Sequence, residues 1–134
     1  MKDCIFCKIL KGEVPSTKLY EDKQTYAFLD LNPVAKGHSL VIPKKHYETM
    51  DEMDEDTANA VIKTTQKIGK AILKLNEGYN VNQNNKSAGG QLVPHVHYHV
   101  IPRNEGDHLK FTWDKLDLSK EDFENIKEKI QNLL

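Results

Sequence analysis

The chain has 134 residues and a mass of 15.4 kDa, a size that fits one domain and can bury a core without disulfide bonds. Its 19 basic and 20 acidic residues give a net charge of −1 without a long run of like charge, which argues against binding of polymeric DNA or RNA. The N-terminal stretch carries charges throughout, and no segment has the length of a membrane span, so we expect a cytosolic protein without a membrane partner.

The first third of the chain predicts short elements. Residues 5–10 predict one helical turn that stops at Gly12. Alternating apolar residues on both sides of a charged turn predict a β-hairpin over residues 18–31. The run HSLVIP, residues 38–43, predicts a strand that its last residue closes, because proline cannot continue a central strand. His46 therefore lies just past the end of that strand.

The remainder predicts two helices and a pair of strands. A helical stripe begins at about Asp54 and ends before Gly78. Its members are Val61, Thr64, Thr65, Ile68, Ile72 and Leu75. Residues 79–85 predict a strand that pairs antiparallel with the segment 94–103. Ser119, three residues before an aspartate, predicts the start of a C-terminal helix. The inner face of that helix is predicted to be Phe123, Ile126, Ile130 and Leu133.

This order of elements is typical of an α+β fold, because strands fill the first and third quarters while helices lie between and after them. We expect a single domain, residues 1–134, built as an antiparallel sheet of about five strands. The main helix and the C-terminal helix should cover the sheet. The strand that carries most of the histidines should be central.

Three histidines stand at alternate positions in the segment PHVHYHVIPR, namely His95, His97 and His99. In an extended strand such residues share one face. Three imidazoles in a row make a poor core, because each needs hydrogen-bond partners once buried. A solvated strand face is the alternative. Imidazole can act as nucleophile, acid, base or metal ligand near neutral pH, so the alternation predicts a functional site.

The two cysteines of the chain, Cys4 and Cys7, form a CxxC motif. It can be a redox pair, half of a metal site, or a coincidence on an N-terminal turn. A thioredoxin-like pair should follow a strand, and only three residues precede Cys4, which disfavours redox use. A structural Zn²⁺ needs four nitrogen or sulfur ligands, so histidines elsewhere in the chain would have to complete the site.

Longer segments extend the pattern around the histidines. CIFCKILKGEVPS, YEDKQTYAFLDLNPVAKGHSLVIPKKH, QNNKSAGGQ and the alternating His-x-His-x-His follow one another along the chain. Together they resemble the histidine triad (HIT) family of nucleotide hydrolases and nucleotidyltransferases. The resemblance covers residues 4–103 and leaves 104–134 as an extension without a catalytic motif. P-loop and Rossmann glycine motifs are absent from the sequence.

The resemblance implies a role for each residue that matches the family pattern. His97 would attack the α-phosphorus of a nucleotide and form a covalent nucleotidyl-histidine that water then resolves. His99 would hold phosphate oxygens, and His38 would complete the catalytic group. The other implied site residues are Gln91 and Asn84 near the phosphate, Asp30 at the ribose, and Phe6, Ile9, Phe28 and Leu31 around the base.

The same resemblance implies one cofactor and one partner. Some family members bind a structural zinc ion through a CxxC, a histidine after IPKK and the first histidine of the triad. The corresponding residues here are Cys4, Cys7, His46 and His95. Family members commonly pair through the main helix and an adjoining sheet edge, so we also expect a homodimer.

The function implied is hydrolysis of a purine nucleotide, either a phosphoramidate or similar derivative of adenosine monophosphate or a dinucleoside polyphosphate. Nucleotidyl transfer to a phosphorylated acceptor is an alternative enzyme activity. A zinc-stabilised nucleotide-binding module without catalysis is the alternative outside enzymes. Two departures concern the leaving group: Leu92 stands where many relatives have a polar residue, and Lys86 stands where glycine is common.

Overall fold

The computed structural model describes residues 3–134. The helices are α1 (Ile5–Leu10), α2 (Glu55–Ile72) and α3 (Lys120–Gln131). The strands are β1 (Lys18–Glu21), β2 (Thr25–Leu29), β3 (Ser39–Pro43), β4 (Gly78–Gln83) and β5 (Tyr98–Arg103). Two 3₁₀ turns, Met50–Glu52 and Ser87–Gly89, lie in the longer connections. Across these residues no helix is long and apolar enough to cross a membrane.

The five strands form one antiparallel sheet in the order β1-β2-β3-β5-β4. This confirms the predicted α+β fold. The predicted pairing of β4 with β5 is also confirmed, and β5 is an interior strand. Val100 of β5 faces Ser39 of β3 on one side and Val81 of β4 on the other. The end of the histidine segment is therefore held by hydrogen bonds from both neighbouring strands.

Helix α2 covers one face of the sheet. Its N-terminus is capped by Asp54, whose carboxylate accepts the Thr57 N–H at 2.8 Å. Val61 and Ile68 from its inner stripe pack into the core of this face, as predicted. Leu75, predicted to continue the stripe, lies beyond the helix end and is 86% exposed. The stripe is shorter than predicted because the chain leaves the helix after Ile72.

Helix α1 covers part of the opposite face. Cys4 caps it by accepting the Cys7 N–H, and Gly12 with its φ of +76° ends it, as the sequence predicts. Phe6 and Ile9 point into a second core, whose other large members are Tyr26, Phe28, Leu40 and Ile42. The CxxC motif thus starts a helix that packs on the sheet.

The histidine segment is not a strand over its whole length. β5 begins only at Tyr98, so His95 and His97 precede it. The chain turns at Pro94, because the His95 N–H donates to the Val93 carbonyl at 2.8 Å. The next N–H, that of Val96, donates to the carbonyl of Tyr47 at 2.8 Å. The prediction of a continuous strand was wrong at this point.

Helix α3 does not cover the sheet. None of its residues is buried, and Phe123, Ile126, Ile130 and Leu133 are all exposed. The predicted helix and its capping box are present, with Ser119 accepting the Asp122 N–H at 3.1 Å. The predicted packing of its apolar face on the rest of the chain was wrong. Periodicity identifies an apolar face but not the surface that covers it.

Candidate active site and metal centre

The three alternate histidines lie side by side although only the last is in β5. The His97 and His99 rings have centroids 5.0 Å apart. Phe6 from α1 contacts the His95 and His97 rings edge to face, with its ring centroid 5.8 Å from that of His95 and 5.1 Å from that of His97. The predicted common face therefore exists. Helix α1 supplies the aromatic ring that packs against it.

At one end of this row, four sulfur and nitrogen atoms come together. His95 Nδ1 lies 3.4 Å from Cys4 Sγ, 3.6 Å from Cys7 Sγ and 3.1 Å from His46 Nδ1. Cys7 Sγ lies 3.3 Å from His46 Nδ1. A tetrahedral Zn²⁺ with bonds of about 2.0–2.3 Å spaces its ligand atoms by roughly 3.3–3.8 Å. Three of the four distances lie in this range and the one between the two imidazole nitrogens is slightly shorter, so the donor set fits zinc.

Hydrogen bonding orients His95 for such a role. Its Nε2 lies 2.9 Å from the carbonyl oxygen of Pro43, an acceptor only, so Nε2 carries the proton. Nδ1 keeps its lone pair and faces the two sulfurs. Burial lowers the pKa of His95 to about 4, which keeps the ring neutral at pH 7. A neutral, correctly oriented imidazole is what a metal ion requires.

At the other end of the row, a cavity of about 420 Å³ opens beside His97 and His99. This volume is in the range of small-molecule sites. Nine of the ten residues implied for catalysis and nucleotide binding line the cavity: Phe6, Ile9, Phe28, Asp30, Leu31, His38, Asn84, His97 and His99. Of the implied residues, only Gln91 does not line it.

The backbone orients His97 in the opposite sense to His95. His97 Nδ1 lies 2.7 Å from the carbonyl oxygen of His95, so Nδ1 carries the proton and Nε2 the lone pair. Burial lowers the pKa of His97, so the ring is neutral at pH 7. The His97 ring lines the cavity. A neutral imidazole with a free nitrogen can act there as a nucleophile.

His38 and His99 form a directed chain of hydrogen bonds. The Val34 N–H donates to His38 Nδ1 at 3.1 Å, so the His38 proton is on Nε2. This Nε2–H donates to His99 Nδ1 at 2.9 Å, which leaves the His99 proton on Nε2. His99 thus offers an N–H to a ligand in the cavity. Burial lowers the pKa of His38, and burial with the neighbouring histidines lowers that of His99 to about 4.

Asp30 completes this group. Its Oδ2 lies 3.4 Å from His38 Nε2 and 4.0 Å from His99 Nδ1. The three side chains are close enough to suggest a second metal site. The hydrogen bond from the Val34 N–H argues against one, because a metal at His38 Nε2 would require a proton on Nδ1, where a donor already points. The group is better suited to bind a ligand through hydrogen bonds.

Gln91, the implied residue that does not line the cavity, is held by the main chain. Its Oε1 accepts the Lys86 N–H at 2.8 Å, and its Nε2 donates to the Glu48 carbonyl at 2.6 Å. Both ends of the side chain are therefore bonded to main chain. Lys86 has φ +66° and ψ 163°, a conformation that glycine adopts readily and other residues rarely do. Gln91 holds that strained segment, and it positions the loop that brings Asn84 and Gly90 to the cavity.

Comparison with known proteins places the chain among its relatives. A HIT domain matches residues 11–106. The chain is 42% identical over 130 residues to adenosine 5'-monophosphoramidase of Schizosaccharomyces pombe, covering 96% of each protein. The chain belongs to the HIT family.

Solved structures of HIT proteins share the whole fold. The HIT-family protein of Bacillus subtilis superposes with a TM-score of 0.91 at 42% identity, covering 98% of this chain and 97% of that one. A zinc-bound HIT protein from Mycobacterium smegmatis matches with a TM-score of 0.78 at 32% identity, covering 98% of this chain and 96% of that one.

The HIT resemblance missed part of the cavity wall. Val34, Leu40 and Val93 line it alongside the implied residues, as does the loop residue Leu92, which is 92% exposed. Val34 also supplies the N–H that fixes the His38 tautomer. A main-chain contribution of this kind leaves no signal in residue type. Leu92 gives the mouth of the cavity an apolar edge.

Proposed function

We propose that this HIT protein is a hydrolase that cleaves a nucleoside monophosphate derivative at its α-phosphate through a nucleotidyl intermediate on His97. The observation that carries the proposal is the hydrogen bond from His97 Nδ1 to the His95 carbonyl, which leaves the Nε2 lone pair in a ring that lines the cavity. The name of the Schizosaccharomyces pombe relative, adenosine 5'-monophosphoramidase, supports an adenosine monophosphate derivative as the substrate.

The reaction has two steps. In the first, His97 Nε2 forms a bond to the α-phosphorus, and the bond to the leaving group breaks with its electron pair, which takes up a proton from solvent water. In the second, water attacks the same phosphorus and gives up a proton to solvent, the bond to Nε2 breaks with its electron pair returning to the imidazole, and the nucleoside monophosphate leaves. His99 donates its Nε2–H to the phosphoryl oxygens in both steps, where a fixed donor stabilises developing charge. His38 holds His99 in that tautomer.

The remaining wall supports binding of a nucleoside. Phe6, Ile9, Phe28 and Leu31 offer an apolar surface for a purine base, and the Asp30 carboxylate can accept hydrogen bonds from ribose hydroxyls. Asn84 offers an amide near the phosphate. Gln91 acts through the loop and not by contact with the substrate, since its carboxamide is bonded to Lys86 and Glu48.

The charge of the cavity favours a monophosphate derivative over a dinucleoside polyphosphate. Among residues 3–134, no lysine or arginine lines the cavity, and Asp30 is the one acidic residue there. The lowered pKa values of His38, His97 and His99 keep these rings uncharged at pH 7. A chain of several phosphates would have no cation beside it. A single phosphoryl group with hydrogen-bond donors suits this site better.

We also propose that Cys4, Cys7, His46 and His95 hold one structural Zn²⁺. When bound, the ion would supply a fixed cross-link between the start of α1, the loop after β3 and the turn before β5. The support is the donor set, its spacing and the His95 tautomer. Metal analysis of protein purified without chelator should find about one equivalent of zinc, and less than about half an equivalent would contradict the site.

Chemical trapping tests the function. The protein is mixed for milliseconds with an adenosine phosphoramidate labelled at phosphorus, quenched in denaturant, and the labelled protein is assayed for stability. Label that is lost in acid and kept in alkali, and that is absent from a His97→Ala variant, is expected of a phosphorus–imidazole bond. Labelled product without labelled protein, under conditions that trap other acyl or phosphoryl enzymes, would contradict the covalent step. Products formed with and without an added phosphorylated acceptor distinguish hydrolysis from transfer.

A further inference from the structure

The segment between the two cysteines belongs to both proposed sites. Cys4 and Cys7 contribute their sulfur atoms to the proposed zinc site, and the two residues between them, Ile5 and Phe6, line the cavity. Because these two residues are enclosed by the sulfur ligands, they cannot move far while both sulfurs are held. One short stretch of chain thus supplies a ligand pair to one site and part of the wall to the other.

Phe6 is in contact with the histidines of both sites. Its ring centroid lies 5.1 Å from that of His97, 5.8 Å from that of His95 and 5.6 Å from that of Phe28, with interplanar angles of 71–80°. Phe6 is buried, with only 6% of its surface exposed. Edge-to-face packing is directional, and a close-packed interior transmits displacements. The position of Phe6 therefore affects the position of the proposed nucleophile.

Helix α1 is attached to the rest of the molecule by few polar contacts. Among the residues that the structure describes, the main-chain hydrogen bonds of residues 4–13 all stay inside that segment. Its polar side-chain contacts with other elements run through the two cysteines. Cys4 Sγ lies 3.4 Å from His95 Nδ1, and Cys7 Sγ lies 3.3 Å from His46 Nδ1. A six-residue helix is not stable by itself, so its position depends on these sulfurs and on apolar packing.

Each site is therefore expected to stabilise the arrangement that the other requires. Bound zinc would fix both cysteine sulfurs and, with them, the position of Phe6 at the cavity. A nucleoside packed against Phe6 would in turn hold α1 on the sheet and keep the two sulfurs facing His46 and His95. When a ligand at one site favours the arrangement needed at another, it strengthens binding there, and the effect is reciprocal.

Ile9 provides a comparison within the same helix. It lines the same cavity as Phe6 and is equally buried, with 6% of its surface exposed. It lies outside the segment that the two cysteines enclose. Both residues should contribute to nucleotide binding as parts of the wall. Only Phe6 is placed to connect that binding to the metal.

We propose that Phe6 is a positioning residue through which zinc binding and nucleotide binding strengthen each other. The inference rests on the proposed nucleotide site and the proposed zinc site, and it adds a thermodynamic link between them. Its consequence is that nucleotide in the cavity retains the metal and that loss of the metal weakens nucleotide binding.

The rate of zinc release tests this link without a measurement of activity. Zinc-loaded protein is mixed with an excess of a chromogenic chelator, with or without adenosine monophosphate at a concentration that calorimetry shows to be saturating. We expect the nucleotide to slow zinc release at least about fivefold, the lower end of couplings between sites. An unchanged rate with nucleotide bound would overturn the inference and leave the nucleotide site intact. Failure of the nucleotide to bind would contradict the proposed function and the inference with it.

Two variants on α1 separate Phe6 from the rest of the cavity wall. Phe6→Ala and Ile9→Ala each remove a buried wall residue, and each is measured at its own saturating nucleotide concentration. Ile9→Ala should keep most of the nucleotide effect on zinc release, whereas Phe6→Ala should reduce that effect to less than twofold. Equal slowing in the two variants would overturn the proposal, because the nucleotide would then act through the stability of the whole domain or through the His95 main chain.

Phe6→Leu keeps the test decisive if Phe6→Ala does not fold. It retains an apolar side chain in the core but loses the aromatic contact with His97. Far-UV circular dichroism checks the folding of each variant, and metal analysis checks that each is loaded with zinc before mixing. The nucleotide should slow zinc release from Phe6→Leu by less than half the wild-type factor. The wild-type factor in this variant would overturn the role of Phe6.

Discussion

His95 and His97 are two residues apart and have opposite arrangements. His95 donates from Nε2 to the Pro43 carbonyl and keeps a lone pair on Nδ1, which faces two sulfurs and a second imidazole. His97 donates from Nδ1 to the His95 carbonyl and keeps its lone pair on Nε2. Burial lowers the pKa of both rings. The two histidines therefore differ in which nitrogen is free, although burial favours the neutral form of both.

This difference shows that the backbone fixes which nitrogen of each imidazole is free. A carbonyl oxygen can only accept, so it fixes one ring nitrogen as the donor and leaves the other for metal or phosphorus. The carbonyl that orients His97 belongs to His95 itself. The proposed metal centre and the proposed nucleophile thus share one residue, through its side chain in one case and its main chain in the other.

Replacement of His97 should have the largest effect and gives the sharpest test of the comparison. His97→Ala removes the attacking nitrogen but leaves the four proposed zinc ligands in place, so kcat should fall by at least about 10³-fold while zinc content stays near one equivalent. Steady-state kinetics and metal analysis on the same preparation measure both. If the variant keeps more than about a tenth of the wild-type kcat, a barrier change under about 1.4 kcal/mol, His97 is not the nucleophile.

Replacement of His46 should reverse that pattern. His46→Ala removes a half-buried proposed ligand that does not line the cavity, so the variant should lose most of its zinc and unfold at a lower temperature. Activity should fall less than in His97→Ala, because the His95 carbonyl remains. His108→Ala is the control, since His108 is an exposed histidine away from both sites. Full zinc content and an unchanged melting temperature in His46→Ala would remove this residue from the metal site.

Much of this arrangement could be predicted from sequence because it depends on residue type and spacing. Alternation placed the three histidines on one face, and a CxxC with two ligands required histidines elsewhere. The turn at Pro94 could not be predicted, because it depends on main-chain bonds from His95 to Val93 and from Val96 to Tyr47. The apolar spacing of α3 was identified correctly, but its packing was not, since none of the described residues covers that face.

Gln91 shows the same limit on prediction from sequence at the candidate active site. The HIT resemblance implies a position near the phosphate for Gln91. Its actual partners are the Lys86 N–H, five residues away, and the Glu48 carbonyl, 43 residues away. Main-chain atoms are common to all residues, so sequence gives no sign of which ones a side chain will bind.

Acid should lower the stability of the protein in part through His99. The folded pKa of His99 is lowered to about 4 from an ordinary value of 6.5, so between these values the unfolded chain binds a proton that the native protein does not. The free energy of unfolding should therefore fall as pH decreases from about 6.5 to about 4, with His99 contributing on the order of 2 kcal/mol. Urea denaturation at several pH values should give a shallower dependence for His99→Gln. An identical dependence in that variant would contradict the burial effect.

Removal of the Gln91 carboxamide should loosen the loop at the cavity. Gln91→Ala leaves the Lys86 N–H and the Glu48 carbonyl without their partner, at a cost of about 1–2 kcal/mol in the free energy of unfolding. Because Asn84 and Gly90 line the cavity, KM should rise more than kcat falls, a split not expected of a residue that touches the phosphorus. Gln91→Glu still accepts from the Lys86 N–H but cannot donate to the Glu48 carbonyl. Its free energy of unfolding and its KM should therefore lie between those of the wild type and of Gln91→Ala. A loss confined to kcat would restore Gln91 to the catalytic group.

The smallest effect expected is a gain in stability at Lys86. Its φ of +66° with ψ of 163° is strained for any residue with a Cβ, and glycine adopts it freely. Lys86→Gly should raise the free energy of unfolding by about 1 kcal/mol, the relief of strain less the entropy of glycine in the unfolded chain. Lys86→Ala is the matched control, because it removes the exposed ion pair with Glu48 but keeps the Cβ. If both variants change stability equally, the backbone at this position is not strained. Suppose that only Lys86→Gly gains stability, and that adding it to Gln91→Ala restores part of the stability that Gln91→Ala loses. The Gln91 hydrogen bond is then what holds the loop in its strained conformation.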